Sequence, residues 1–203
     1  MSRPLLLDLF CGAGGAAMGY RRAGFDVIGV DIDPQPNYPF PFVQADALNP
    51  PFDLTRFDAI HASPPCQAYA PVTAWRGRHS DHPDLLAPTI ELLESSGLPW
   101  VVENVPGAPM DPEIVLCGTQ FGLRVRRHRW FITNWWQSQR VMLCHHQPDD
   151  YAFDHGGKQP ESVYRAAMEC DWMTVRESRN AIPPAYTEFV GLQLLEHIGT
   201  VAP

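Results

Sequence analysis

The sequence predicts an α/β fold, a mostly parallel seven-stranded sheet with helices on both faces. Short apolar runs alternate with helical stretches along the chain, the pattern of strand–helix–strand units. The first run enters a glycine-rich turn and then a helical stretch, and the second run ends in an acid. With 203 residues, 45% of them hydrophobic and 19% charged, the chain is globular rather than disordered. A domain of this size buries roughly 70% of its unfolded surface.

The elements follow in order. Three leucines lead a strand over 5–10, and a helix over 16–23 follows the turn. Further strands are expected over 26–30, 42–44, 57–61, 100–103, 114–116 and 130–133, each a short run bounded by Pro, Gly or polar residues. A leucine-rich helix is expected over 85–95 and a last helix over 186–199. In that last helix Phe189, Leu192, Leu195 and Ile198 are spaced to share a face. The reading over 134–160 is loop or irregular structure, and 67–84 is a long loop following a strand end. The 21 prolines imply many stiff connections. No apolar run approaches the ~20 residues of a membrane span, and no secretory leader is visible, so a soluble, cytoplasmic protein is expected.

The net charge of −8 argues against indiscriminate nucleic-acid binding by the whole surface. Its distribution is uneven. Arg124, Arg126, Arg127 and Arg129 form a cluster without an acid, and Lys158 is the sole lysine. Arginine offers a forked, planar donor set that lysine lacks. Five cysteines, an odd number without a CxxC spacing, read as free thiols. Cys144, His145, His146, His155 and Cys170 are joined by no recognisable finger spacing, so no metal is expected.

Five motifs carry chemistry. Residues Asp8-Leu9-Phe10-Cys11-Gly12-Ala13-Gly14-Gly15 run from strand into a glycine-rich turn that lets a ligand approach the backbone and a helix N-terminus. Asp31, ending the second strand, stands where an acid accepts bonds from ribose hydroxyls, so the pair suggests an adenosine-type cofactor. The glycine spacing is not the GxGxxG of dinucleotide folds, which disfavours a dehydrogenase. Ala62-Ser63-Pro64-Pro65-Cys66-Gln67 sets a cysteine on a stiff platform at a strand end. Glu103, in Val102-Glu103-Asn104-Val105, ends an apolar strand, where desolvation raises a carboxyl pKa. The arginine cluster leads into the next strand, and Asn180-Ala181-Ile182-Pro183-Pro184 opens the last helix.

Taken in this order, across residues 5–195, the motifs resemble the DNA (cytosine-5) methyltransferase family, including its small phage-type members. The resemblance implies a class I methyltransferase fold, Rossmann-like, with S-adenosyl-L-methionine as donor. Carried over residue by residue, it places Asp8, Phe10, Cys11, Gly12, Ala13 and Gly14 at the methionine part of the cofactor. It places Asp31 at the ribose, Ile32 against adenine, Asp46 and Ala47 at the adenine amino group, and Pro64, Asn180 and Ala181 around the same pocket. Cys66 becomes the nucleophile, Glu103 the group meeting cytosine N3, and Arg127 and Arg129 the substrate-orienting pair. Pro65, Gln67, Asn104, Arg76 and Arg78 become substrate contacts, with 67–84 as a lid over a base flipped out of double-stranded DNA.

Two positions depart from the family pattern: Val125 stands where Gln is usual, and Arg179 where Gly is usual. The larger departure is internal. The family normally inserts a large target-recognition region before the final helix, and here 134–173 alone fills that place. The expected organisation is a catalytic and cofactor-binding core over 1–133, a reduced recognition segment over 134–173 and a closing helix over 174–203. The expected protein is a monomer of a bacterial cell or phage-infected host, acting with short or relaxed sequence specificity. Methylation of RNA or a free nucleotide, or a non-catalytic DNA- or cofactor-binding relative, are the alternatives.

Overall fold

The computed structural model describes residues 2–69, 83–136, 143–148, 150–152 and 161–201. Its main sheet has seven strands: β1 Leu5–Leu9, β2 Asp26–Asp31, β3 Phe42–Gln44, β4 Ala59–Ala62, β5 Trp100–Asn104, β6 Ile114–Leu116 and β8 Arg129–Thr133. They lie in the order β3-β2-β1-β4-β5-β8-β6. The first five are parallel, while β8 runs antiparallel to both β5 and β6. The expected seven strands are therefore all present. The fourth begins two residues later than expected, because Phe57 closes a 3-10 turn (Leu54–Arg56) and packs edge-on against Phe52, ring centroids 5.5 Å apart.

The strands are continuous apolar runs because both faces are covered. On one face Leu6, Val27 and Ala59 pack with Ala17 and Tyr20 of α1 (Gly15–Ala23) and with Leu194 of the last helix, α5 (Pro184–Val201). On the other, Leu7, Leu9, Ile60 and Val102 pack against Leu86 and Leu93 of α2 (Leu86–Ser96).

The face of α5 differs from the sequence expectation. Tyr186, Val190 and Leu194 are fully buried, whereas Leu192 is 48% exposed and Phe189 only partly buried. Close packing against α1 decides this. A Cβ on Gly191 would lie 2.8 Å from Ala23 Cβ, and one on Gly19 would run into Pro184 O and Thr187 Oγ1. Small residues thus bring the two helices together along a stripe that apolar spacing alone does not mark.

Within the region read as irregular lies β9 (Tyr151–Ala152), which pairs in parallel with β7 (Val125–Arg126). Two further helices for which no element was expected, α3 (Glu161–Ala167) and α4 (Val175–Asn180), follow. The start of α4 is a capping box, in which Thr174 and Glu177 satisfy each other's backbone N–H groups. Among the described residues no helix is long and apolar enough to cross a membrane.

Strand order reverses beside β1, so the loops leaving β1 and β4 border one crevice at the carboxyl edge of the sheet. Leu9 is in register with Ala62, and Ser63 N donates to Leu9 O at 3.2 Å. Because β8 is antiparallel, its first residue, Arg129, lies at that same edge, beside the end of β5.

Candidate active site

Two polar centres share this edge. The first surrounds the turn after β1. Phe10 adopts φ 57° and Gly12 φ 49°, left-handed conformations that fold the chain tightly over the strand end. Gly12 N donates to Asp31 Oδ2 at 2.9 Å, and Asp33 N donates to Oδ1 at 3.0 Å, so the turn and the end of β2 are tied together. Ile32 beside them is 67% exposed, an apolar side chain standing free where a flat ring could lie. Asp46, exposed, accepts from Leu48 N at 2.9 Å, and Ala47 beneath it is buried. Late in the chain, Trp172 Nε1 donates to Ala13 O at 3.0 Å, and Ala181 and Ile182 lie so close to Gly15 that a Cβ there would collide with Ile182 O. Asn180, at the end of α4, is exposed next to this contact. Residues far apart in sequence therefore meet around one turn.

Asp8 is the oddity of this centre. It is 1% exposed, and among the described residues Oδ1 has no hydrogen-bond partner while Oδ2 accepts a long 3.4 Å bond from Tyr38. Burial, with the Asp31 charge adding, holds its carboxyl well above the usual carboxylate range. Burial and the same two acids also push the Cys11 thiol upward, so Cys11 is a packing residue of the turn rather than a reactive thiol.

The second centre surrounds the loop after β4. Pro64 is buried, Pro65 and Cys66 half-buried and Gln67 exposed. Asn104 Nδ2 donates to Pro64 O at 3.1 Å, while its Oδ1 accepts from Val105 N at 2.9 Å. Each end of this buried amide thus bonds backbone, so Asn104 braces the Cys66 platform. Glu103 is 5% exposed and pairs with Arg129, Nε to Oε1 2.9 Å. Burial raises the Glu103 pKa, and Arg129, Arg127 and a bond from Ser63 oppose the rise without cancelling it. Burial also pushes up the Cys66 thiol, with the Glu103 charge adding and Arg129 and Arg127 opposing. The arginines alone therefore do not make Cys66 a thiolate in the ligand-free protein. Arg127 is 4% exposed, donates to Arg179 O at 2.8 Å and has its own carbonyl bonded by Tyr186 OH. Arg76 and Arg78, and most of the expected lid, lie outside the described residues.

One part of this centre was missed in the sequence. His61 is wholly buried in β4, with Nδ1 3.0 Å from Tyr20 OH and Nε2 2.8 Å from Ser63 Oγ. Burial pushes its pKa down to about 3, so it is neutral. A neutral imidazole donates from one ring nitrogen and accepts at the other, so Tyr20, His61 and Ser63 form one hydrogen-bonded chain, and Ser63 in turn lowers the Glu103 pKa. The visible signal was a histidine in an otherwise apolar strand, directly before a serine.

A conserved-family model for C-5 cytosine-specific DNA methylases matches residues 5–110, more than half of the chain. The chain belongs to that family. Among curated proteins, the Type II methyltransferase M.XorII of Xanthomonas oryzae pv. oryzae is 57% identical over 35 residues. That match covers 17% of this chain and 8% of the relative, far short of two thirds of its length. Among solved structures, the Schizosaccharomyces pombe Dnmt2 methyltransferase superposes with a TM-score of 0.62 at 14% identity, covering 96% of this chain and 98% of that one. At that identity the likeness concerns the fold. A DNA modification methyltransferase encoded within an E. coli prophage is 23% identical, with a TM-score of 0.48 over 64% of this chain and 46% of its own.

Proposed function

We propose that this protein transfers a methyl group from S-adenosyl-L-methionine to C5 of cytosine in double-stranded DNA, through a Cys66 adduct at C6 of a flipped-out base. The observation that carries the reading is the buried Glu103–Arg129 pair beside Cys66, at the same sheet edge as the end of β1, where one oxygen of the buried Asp8 has no partner among the described residues.

The cofactor fits that turn chemically. The buried Oδ1 of Asp8 has no partner among the described residues, and a cationic ligand supplies one. The Gly12–Gly14 backbone, Asp31 and Ile32 would hold the remainder, with Asp46, Ala47, Pro64, Asn180 and Ala181 around it. When bound, S-adenosyl-L-methionine supplies an electrophilic methyl group on a sulfonium centre to C5.

The protein's own groups do the rest. Cytosine C5 is a poor nucleophile while the ring is aromatic. Cys66 Sγ attacks C6, the new S–C6 bond breaks the C5–C6 double bond, and the freed pair makes C5 electron-rich. Glu103 holds a proton at N3, stabilising charge that moves into the ring. A proton on Glu103 also removes the negative charge that opposes the Cys66 thiolate, so the two steps favour each other. Arg129 holds the Glu103 carboxyl in place, and Arg127, anchored to Arg179, fixes the strand from which Arg129 projects. Loss of the C5 proton then returns a pair to the C5–C6 bond and expels Cys66. Because the target atom is unreachable within a duplex, the base must leave the stack at a cost of a few kcal/mol. We place catalysis and cofactor binding in 1–133 with the closing helix, recognition in the reduced segment 134–173, and the working form as a monomer.

The test is trapping on a duplex containing 5-fluorocytosine, whose C5 cannot lose a proton. A covalent complex that needs both Cys66 and the cofactor is expected. Equal trapping by Cys66→Ser, or methylation by Cys66→Ser at near the native rate, overturns the mechanism. Mass spectrometry of nucleosides after reaction with labelled cofactor identifies the base, with methylated RNA or free nucleotide as the outcomes that overturn the DNA assignment.

A further inference from the structure

We propose that Cys117, His128, Cys144 and His146 form a structural zinc site that fixes the reduced recognition segment to the stretch bearing Arg127 and Arg129. The four ligand atoms, two thiol sulfurs and two imidazole nitrogens, all lie within 4.8 Å of one another. Cys117 Sγ is 3.4 Å from His146 Nε2, and Cys144 Sγ is 3.7 Å from His128 Nε2. Tetrahedral zinc with Zn–S near 2.3 Å and Zn–N near 2.05 Å requires sulfur–nitrogen edges of about 3.6 Å. The two observed edges bracket that value, so the quartet needs little rearrangement to close on an ion.

The fold explains the convergence. Leu116 of β6 is in register with Arg129 of β8, so the next pair outward along this antiparallel ladder is Cys117 opposite His128. The chain at 143–148 lies across that ladder end, supplying Cys144 and His146 from alternate positions two residues apart, and soon afterwards enters β9 beside β7. Ligands drawn from three segments do not produce a finger spacing, which is why the sequence did not suggest this set. His145, between the two ligands, is exposed and outside the quartet. Cys170 is buried elsewhere, against Ala13, Met168 and Met173.

The donor set selects the ion. Two soft thiolates with two imidazoles and no carboxylate disfavour magnesium and calcium and suit zinc. Four protein ligands leave no open position, so the site is structural, not catalytic. Cys117 is prepared for the charge: it is 1% exposed, its sulfur accepts the backbone N–H of Gln120, and Thr119 Oγ1 lies 3.4 Å away. His128 sits between the two arginines of the second centre. An ion there would fix the backbone from which both project, and would hold the start of β9 against β7. The site is assigned from its own ligands and stands whether or not the methyl-transfer reading does.

The experiment measures metal in the full chain purified without a histidine tag. About one zinc per chain is expected by elemental mass spectrometry, falling below about a fifth in Cys144→Ser and in His146→Ala. His145→Ala is expected to keep its zinc. Chelator-stripped protein refilled with cobalt should show the intense visible absorption of a tetrahedral site with two thiolates. Because the loss variants could fail to fold, His146→Cys serves as a second arm: it should retain zinc and shift the cobalt spectrum toward that of three thiolates. Less than about a tenth of an equivalent after incubation with equimolar zinc overturns the proposal. So does zinc content unchanged in both loss variants, or recovery of Cys117 and Cys144 joined as a disulfide in the native chain.

Discussion

Arg129 Nε lies 2.9 Å from Glu103 Oε1, in a pair whose side chains retain 13% and 7% of their exposure. The pair forms because β8 runs against β5, which brings the start of one strand to the end of the other. Its consequence reaches Cys66. The Glu103 charge is among the causes that raise the thiol, whereas Arg129 lowers it. Removing the acid and keeping the arginine should therefore activate the sulfur while removing the group that meets the ring.

Glu103→Gln is accordingly expected to separate two properties. Alkylation of Cys66, followed by peptide mass spectrometry against pH, should move to lower pH. Methyl transfer should fall by roughly 10²–10⁴-fold, the usual worth of a positioned acid. Alkylation at the native pH together with undiminished turnover contradicts the coupling.

Ser63 provides a finer adjustment. Its bond lowers the Glu103 pKa against the effect of burial, so Ser63→Ala should raise that pKa further. If a protonated Glu103 is the working form, activity is lost as pH rises through its pKa. The alkaline limb of kcat should then shift to higher pH in Ser63→Ala. A purely structural role would lower the rate at every pH and leave the limb in place.

The strands and the order of the motifs were legible because buried parallel strands are uninterrupted apolar runs and the motifs sit at their ends. Cys66, Glu103 and Arg129 fall where three of those runs begin or end, so locating the strands located them. The His61 chain was not legible, since a buried histidine in an apolar strand becomes readable only when Tyr20 arrives from α1. The inward stripe of α5 was hidden because Gly191 and Thr187, neither strongly apolar, set how closely α1 approaches. The Thr174–Glu177 capping box, by contrast, was present in the sequence and would have marked α4.

Asp8→Asn should stabilise the ligand-free fold. The folded pKa of Asp8 lies above its unfolded value, so the folded state binds the extra proton, and this advantage is lost as pH rises through the folded pKa. At neutral pH the buried Asp8 side chain, with one oxygen unpartnered among the described residues, is a net cost, on the order of 1–3 kcal/mol for such a group. Urea midpoints should be higher for the variant at pH 7 and converge with the native protein under acid. Calorimetric binding of S-adenosyl-L-methionine should weaken in the same variant. A variant less stable at pH 7 would show that Asp8 is satisfied within the protein.

Gly19→Ala tests the contact between α1 and α5. A new Cβ meets Pro184 O and Thr187 Oγ1, and Thr187 already donates to Ala16 O at 2.8 Å, so neither neighbour is free to yield. Overpacking of this kind costs about 1–3 kcal/mol. A lower urea midpoint at unchanged slope is expected. Because α5 also carries Tyr186, which bonds Arg127 O, turnover should fall along with stability.

Sequence specificity should be short because the described end of the segment available for recognition is committed to the protein itself. Met168, Cys170 and Met173 are buried against Ala13 and Val125, and Trp172 is bonded to the glycine-rich turn. These described side chains are turned to the protein rather than to base edges, where each good pair is worth about 1–3 kcal/mol of discrimination. Methylation of a randomised duplex library should reveal a site of roughly one to three bases, and a strict site of five or more contradicts this. The charge points the same way. With a net charge of −8, binding has to rest on a local arginine-lined cleft, so the dependence of log K on log salt should be shallow. A slope steeper than about −7, which corresponds to eight or more neutralised phosphates, would mean that a wider surface carries the DNA.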